Sequence, residues 1–341
     1  MSISRRNIIR LAAGAAALPT FSTNALASTD RVTVGALRFT SEGPTFLALE
    51  RGYFKDEGLD AKIEFFQAAQ PMAVAIASGD VDFGVTAVTA GLISLAEKGA
   101  LKVIGGALQE EPGIDGQIIL ASRQAWEAGL KSPKDLRNRS FGITTHGSSF
   151  HYMVHKVAEK VGIRLSDIQL KPLQQIGALV GSLSTGQIDA WSIVPDIGKP
   201  LIAKPEVKKI GEIAEYIPDY QVTTVFTATK MIRERKDVVQ RFMKARARAV
   251  SDFNRALVGP NADQKSAEDV LKVLHKYVMA DRPFEVAAPL IRNGAMRIAE
   301  RSQLHAGSIR DQLDWFKSEK LVPPAVTFDM LVDAGFAPIK G

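Results

Sequence analysis

The chain has 341 residues and no cysteine. That absence excludes disulfides, thiolate metal sites, cysteine nucleophiles and a lipid anchored through a cysteine. Stability must come from a packed apolar core. Aromatic residues are sparse at 7%, and there are only five histidines. No segment is apolar for the roughly 20 residues that a membrane-spanning helix needs. The formal charge of +6 is modest, and Arg5, Arg6 and Arg10 carry half of it. It therefore argues little for nucleic acid as a partner.

What is present begins with an export pattern. The adjacent pair Arg5-Arg6 precedes an Ala-rich apolar run at 11–18, Pro19 ends the run, and Ala25-Leu26-Ala27 offers a small-x-small cleavage site. Residues 1–27 read as a twin-arginine-type signal peptide, which predicts a periplasmic protein without a lipid anchor. The remaining residues are enough for two lobes with separate cores.

From residue 31 to about 229, strand-like and helix-like stretches alternate, which predicts an α/β fold with mostly parallel sheets. Strands are expected at 32–37, 61–66, 81–85, 102–108, 117–121 and 140–145. Helices are expected at 45–56, 71–78, 87–97 and 148–161. The last has the clearest apolar face, through Phe150, Met153, Val154, Val157, Ala158 and Val161. Beyond about 230 the pattern is helical and is expected to pack on the first lobe. The lobe boundaries predicted are 30–121 with 227–341 for the first and 122–226 for the second.

The two series resemble copies of one plan. Gln67 and Gln174, Gly79 and Gly186, Val81 and Ile188, and Asp82 and Asp189 are each 107 positions apart. Gly43 and Gly147, Phe46 and Phe150, and Gly58 and Gly162 are 104 apart. Generic punctuation by glycine after helices is the competing explanation. Two copies facing each other across their strand ends would make one shared cleft, closing around a small molecule.

The loops after the strands are the expected site: 38–44, 67–71 and 86–89 in one series, and 146–150, 174–177 and 191–196 in the other. They are rich in Thr, Ser, Gln and Gly and hold no nucleophile–base–acid set. Gly147-Ser148-Ser149 opens the strong helix, where free backbone N–H groups favour an anion. Ser148 serves equally as a plain helix cap. Arg38, ending the first strand, reads either as a partner for a carboxylate or sulfonate or as a solvated surface charge. His146 at its strand end reads as a ligand-contact candidate. His151 and His155 share a helix face, but no carboxylate at ligand spacing completes a metal site, so neither metal nor cofactor is expected. Trp191 reads as core or as a ligand wall.

The stretches Glu50-Arg51-Gly52-Tyr53-Phe54-Lys55-Asp56-Glu57-Gly58-Leu59, Ser78-Gly79-Asp80-Val81-Asp82-Phe83-Gly84, Gly147-Ser148-Ser149 and Asp189-Ala190-Trp191 carry a family resemblance. The chain resembles the substrate-binding proteins of ABC importers for nitrate, sulfonates, taurine and pyrimidine precursors. The likeness covers most of the chain after the signal and is best between residues 32 and 195. It implies a type II periplasmic-binding-protein fold, two α/β lobes with a ligand cleft between them, and a membrane permease and its ATPase as partners. It also implies ligand contacts at Thr40, Ser41, Gln70, Thr86, Ser148, Ser149 and Trp191. One departure stands out. Sulfonate binders often carry a second tryptophan after the Asp-Ala-Trp stretch, where this chain has Val194, followed by Pro195-Asp196 in swapped order.

The function expected is a monomeric periplasmic solute-binding component of an ABC importer, taking a sulfonate, a carboxylate or an aromatic carboxylate. Two alternatives stay open. A lyase or dehydratase on the same fold would need an acid or base, and the loops offer Glu42, Asp196 and His146. A ligand-sensing module would share every feature above.

Overall fold

The computed structural model describes residues 29–341, so the signal peptide expected at 1–27 lies outside the described residues. The chain opens with β1 (Asp30–Ala36), α1 (Gly43–Glu50), α2 (Tyr53–Asp56), β2 (Leu59–Phe65), α3 (Ala69–Ser78), β3 (Phe83–Ala87), α4 (Ala90–Glu97) and β4 (Leu101–Gly106). A second series follows: β5 (Ile118–Ser122), α5 (Arg123–Glu127), β6 (Ser140–Ile143), α6 (Ser149–Lys160), β7 (Gln169–Pro172), α7 (Ile176–Ser184), β8 (Ala190–Ile193), α8 (Pro195–Ile202) and β9 (Val207–Glu212). The chain then returns through β10 (Thr223–Ala228).

The strands form two five-stranded sheets of the same plan, ordered β2-β1-β3-β10-β4 and β7-β6-β8-β5-β9. Each sheet is mostly parallel, as expected, with four strands running one way and one against them. In the first, β10 runs antiparallel to β3 and β4; in the second, β5 runs antiparallel to β8 and β9. Both are the strands by which the chain arrives from the other sheet, and a direct arrival at the shared end forces the opposite direction. The two linking segments pair side by side, with Glu110 N–H donating to Tyr220 O and Val222 N–H to Leu108 O.

The internal repeat has a physical basis. Asp82 accepts from Thr33 N–H at 2.7 Å, and Asp189 accepts from Ser140 N–H at 2.7 Å. Both pairs span 49 positions. Each aspartate precedes a central strand and clamps its neighbour, so the copies share register: Val34 lies beside Phe83, and Phe141 beside Ala190. Gly79 and Gly186 end their helices at φ +87° and +75°, a conformation that favours glycine.

Burial follows position in the sheet. β3 is buried at every residue, as befits a central strand covered on both faces. On the edge strand β2, Leu59 is buried while Asp60, Lys62 and Glu64 are exposed. The helix expected at 45–56 is broken at Arg51-Gly52, where Gly52 takes φ +74° and the chain turns.

The remainder comprises α9 (Thr229–Glu234), α10 (Lys236–Leu257), α11 (Gln264–His275), α12 (Phe284–Asn293), β11 (Leu304–His305), α13 (Ala306–Ser318), α14 (Phe328–Leu331) and β12 (Ile339–Lys340). The buried stripe of α10 covers the first sheet. Its Phe242 stacks on Phe83 at 3.8 Å between centroids and on Phe54 at 5.4 Å. The C-terminal region also reaches the second sheet. There α12 packs on α8, and Trp315 of α13 meets His151, Tyr152 and His155 of α6. Trp315 is buried and apolar over most of its surface, which gives α13 a reason to bridge both halves.

Candidate functional site

The carboxyl ends of the strands face each other across a partly open cavity. It is built from β-strand ends and helix starts: Leu37 after β1, Thr86 and Ala87 of β3, Thr144 after β6, and Ile193 of β8. Six helices present their first or capping residues to it. Glu42 precedes α1, Ala68 α3 and Thr89 α4 from the first sheet; Ser148 precedes α6 and Val194 α8, and Ile176 begins α7, from the second. Each helix is eight residues or longer, so its terminus carries a partial positive charge. The backbone N–H groups of Ser149 and Phe150 have no partner among the described residues.

The cavity holds about 60 Å³ of water-accessible space, enough for a few water molecules or a compact organic group. Beside it opens a crevice of about 170 Å³ that shares Leu37, Phe39 and Ile176 with it and includes Arg38 and Gln67. This geometry makes the crevice the mouth. The seam between the sheets is closed. Ala90 N–H donates to Gly147 O at 2.9 Å, and Thr40 N–H donates to Asp196 Oδ2 at 2.7 Å. Lys199 bridges Asp115 and Asn293 O, while Tyr152 and Lys156 both meet Asp311.

No Lys, Arg or His among the described residues lines the cavity, and Glu42 is its one charged lining side chain. Glu42 is 3% exposed, and its Oε2 has no hydrogen-bond partner. Burial pushes its carboxyl up to about 8, and the charge of Arg246 pulls it part of the way back. Arg246 on α10 is itself 1% exposed, with all three guanidinium nitrogens unpartnered. Burial brings it down to about 10, against the opposing charge of Glu42. Asp196 is buried too, and desolvation raises its pKa despite the bond from Thr40. Glu42 and Arg246 thus form a costly buried pair at one wall of the cavity.

Of the residues that the sequence nominates, Ser41, Thr86, Ser148 and Ser149 line the cavity. Ser148 also caps α6, its Oγ accepting from His151 N–H at 3.4 Å. Thr40 does not line the cavity: it is buried, and its amide donates to Asp196 Oδ2. Gln70 accepts from Thr89 Oγ1 at 3.0 Å, buttressing the residue that caps α4. Arg38 lies at the mouth, its guanidinium 3.7 Å above the Phe65 ring and donating to Tyr277 O. There it keeps its hydration while stacking. His146 is exposed outside the cavity, edge-on to His151. Trp191 does not form a wall. It is 0% exposed, packs against Phe150 and belongs to the core of the second half, because its position on β8 faces the covering helix. Val194 takes the wall position instead.

His151 acts through structure. Burial, reinforced by His146 and His155, pulls it down to about 4, so it is neutral near pH 7. Its Nδ1 accepts from Gly147 N–H at 3.1 Å, fixing the loop that starts α6. Gln117, Thr144 and Thr223 line the cavity without having been nominated. Gln117 and Thr223 sit where the linking segments meet the antiparallel strands, and a sequence read as parallel α/β units gives no sign of them.

Two matching α/β halves clasping a small cavity at their strand ends define the periplasmic-binding-protein fold. The chain belongs to the NMT1/THI5 like family, whose model matches residues 40–255. It is 25% identical over 257 residues to a protein of Brucella abortus (strain 2308) described as a binding protein, covering 74% of this chain and 75% of that one. Its fold matches that of the alkanesulfonate-binding protein of Xanthomonas axonopodis pv. citri bound to MOPS, with a TM-score of 0.70, 18% identity, and 89% of this chain and 98% of that one covered. It also matches a desulfurization enzyme at a TM-score of 0.60 and 13% identity, covering 90% of this chain and 97% of that one.

Proposed function

We propose that this protein is the periplasmic solute-binding component of an ABC importer, closing its two halves on a small organic ligand that bears an acidic group. The observation that carries the reading is the convergence of six helix N-termini, three from each half, on one cavity. Such termini bind anions through backbone N–H groups and dipoles without a side-chain cation. The hydroxyls of Ser41, Thr86 and Ser149 add donors. A ligand touching both walls stabilises the closed form, which is what a permease and its ATPase would read. Val194 lines the cavity where sulfonate binders often carry a tryptophan, so the reading extends beyond sulfonates to carboxylates.

The test is a thermal-shift screen of organic acids. A true ligand at about 100 times its Kd should add about 2.7 kcal/mol of stability. Shifts from neutral compounds alone would contradict the acidic-group reading.

Glu42 favours one second reading. A buried carboxyl raised to about 8 at the cavity wall is poised as a general acid or base, so an enzyme on this fold is the alternative. Mass spectrometry of incubated hits separates the two: an importer component returns its ligand unchanged, and an enzyme does not.

A further inference from the structure

We infer that α13 is a latch for the closed form, and that Asp311 is the positioning residue that engages it, acting through α6 rather than on the ligand. The inference rests on the reading that the two halves open and close, and adds a determinant of that balance outside the cavity. The segment carrying α13 is anchored to the first half on both sides. Before it, Ala299 N–H donates to Ala107 O at 2.8 Å, just past β4. After it, Asp333 N–H donates to Val103 O at 2.9 Å, within β4, and α14 packs on α4 and β4. The middle of α13 is pinned to the segment that returns from the second half. Gln221 N–H donates to Ser308 Oγ at 2.9 Å, and Gln312 Nε2 donates to Gln221 O at 3.1 Å. The latch therefore moves with the first half and the link.

Its other flank lies on the second half. Tyr152 Oη and Lys156 Nζ, one turn apart on α6, both donate to the Asp311 carboxylate, the lysine at 3.2 Å. Trp315, one turn further along α13, meets His151, Tyr152 and His155. This set of contacts fits one placement of α6. Rotating the second half about the links shifts α6 against α13, and two donors on one carboxylate and three rings on one indole are not kept together. The contacts therefore favour the closed form over the open one. The same helix opens at the cavity, where Ser149 and Phe150 line the wall. His151 joins the two ends: its Nδ1 holds Gly147 N–H while its ring stands edge-on to Trp315. Asp311 itself does not line the cavity. It sets how much of the ligand-free protein is already closed, and the apparent affinity of every ligand scales with that fraction.

The experiment measures the distance between the halves in the ligand-free protein. The chain has no cysteine, so spin labels attach only where cysteines are introduced. Lys62→Cys on β2 and Lys171→Cys on β7 put one label on the exposed edge strand of each half. These strands flank the mouth, which Gln67 lines just after β2 and Ile176 a few residues after β7. Pulsed electron–electron resonance should show a short distance, matching the closed form, beside a longer one. Asp311→Ala should lower the closed-to-open ratio by about tenfold, the loss of one hydrogen bond to a charged group. Tyr152→Phe should lower it as well, and Asp311→Asn should keep part of it, because the amide oxygen still accepts from Tyr152. The double variant Tyr152→Phe with Asp311→Ala should fall short of the two single effects combined, since both break the same bond. Circular dichroism melting establishes that each variant folds. A residue that only braced the fold would lower the melting temperature and leave the ratio unchanged. The inference is overturned by that result, by a shift of Asp311→Ala toward the closed form, or by a ligand-free protein with Asp311 intact that shows no closed population. Each of these leaves the importer reading standing. One short distance shared by the protein with Asp311 intact and by every variant means that the halves do not separate, and the closing reading then fails together with the inference.

Discussion

At the scale of single residues, the chain is legible where chemistry is local and illegible where a side chain's direction depends on distant packing. Ser148 and Ser149 could be placed because a Gly-Ser-Ser run before an apolar helical stripe specifies a cap. Trp191 could not, since the face a strand residue presents depends on which neighbours cover it. Arg38 shows the same limit: its stacking on Phe65 is invisible in the order of residues. Glu42 stood in view only as one of three acid or base candidates; its isolation in the cavity is a property of the closed fold. Glu42 also makes a prediction for stability. Its folded pKa lies near 8, above the ordinary value of 4.5, so the native state holds a proton that the unfolded chain releases. Its contribution is therefore favourable at low pH and falls as pH rises from about 4.5 to 8. Glu110, raised by burial to about 7, acts in the same direction, whereas Asp30 and Glu50, lowered by their cationic partners, act in the opposite one. The clean quantity is the difference between proteins. Chemical denaturation should show Glu42→Gln gaining stability relative to wild type as pH goes from 5 to 8.5. A constant difference across that range would mean that Glu42 is not destabilised by burial.

Among the elements, existence and order were readable, boundaries less so, and strand direction least. Alternating apolar periods revealed α3, α4, α6 and most strands within a few residues. The antiparallel β5 and β10 were hidden, because a strand's direction is set by where the chain comes from and leaves no mark on its composition. The paired offsets of 107 and 104 positions carried more information than any single element, since register and capping repeat together. The starts of α4 and α6 meet across the seam, where Gly147 at φ +78° faces Ala90. A Cβ on Gly147 would lie 2.6 Å from the Ala90 Cβ, too close for the closed seam to persist unchanged. Gly147→Ala should therefore weaken ligand binding by tenfold or more while each half keeps its secondary structure, with about 1 kcal/mol of backbone strain added locally. Ligand titration by calorimetry with circular dichroism alongside checks this. Unchanged affinity would show that the α4–α6 contact is not required for binding.

For the whole molecule, two copies of one α/β plan supply opposite walls, and the C-terminal helices tie them together from outside through α12 on α8 and Trp315 on α6. Each half alone offers helix starts on an open surface, where water screens their charge; closure removes the water and strengthens their pull on an anion. The central claim is that one ligand bridges both walls. The most direct measurement is the calorimetric affinity of a single identified ligand for the wild type, for Thr86→Val in the first half and for Ser149→Ala in the second. Each substitution removes one cavity hydroxyl, worth about 0.5–1.5 kcal/mol as a hydrogen bond. The account predicts that both variants lose affinity by roughly 2- to 13-fold with unliganded melting temperatures close to wild type. Loss in one variant and wild-type affinity in the other would contradict it, because the ligand would then belong to one half alone.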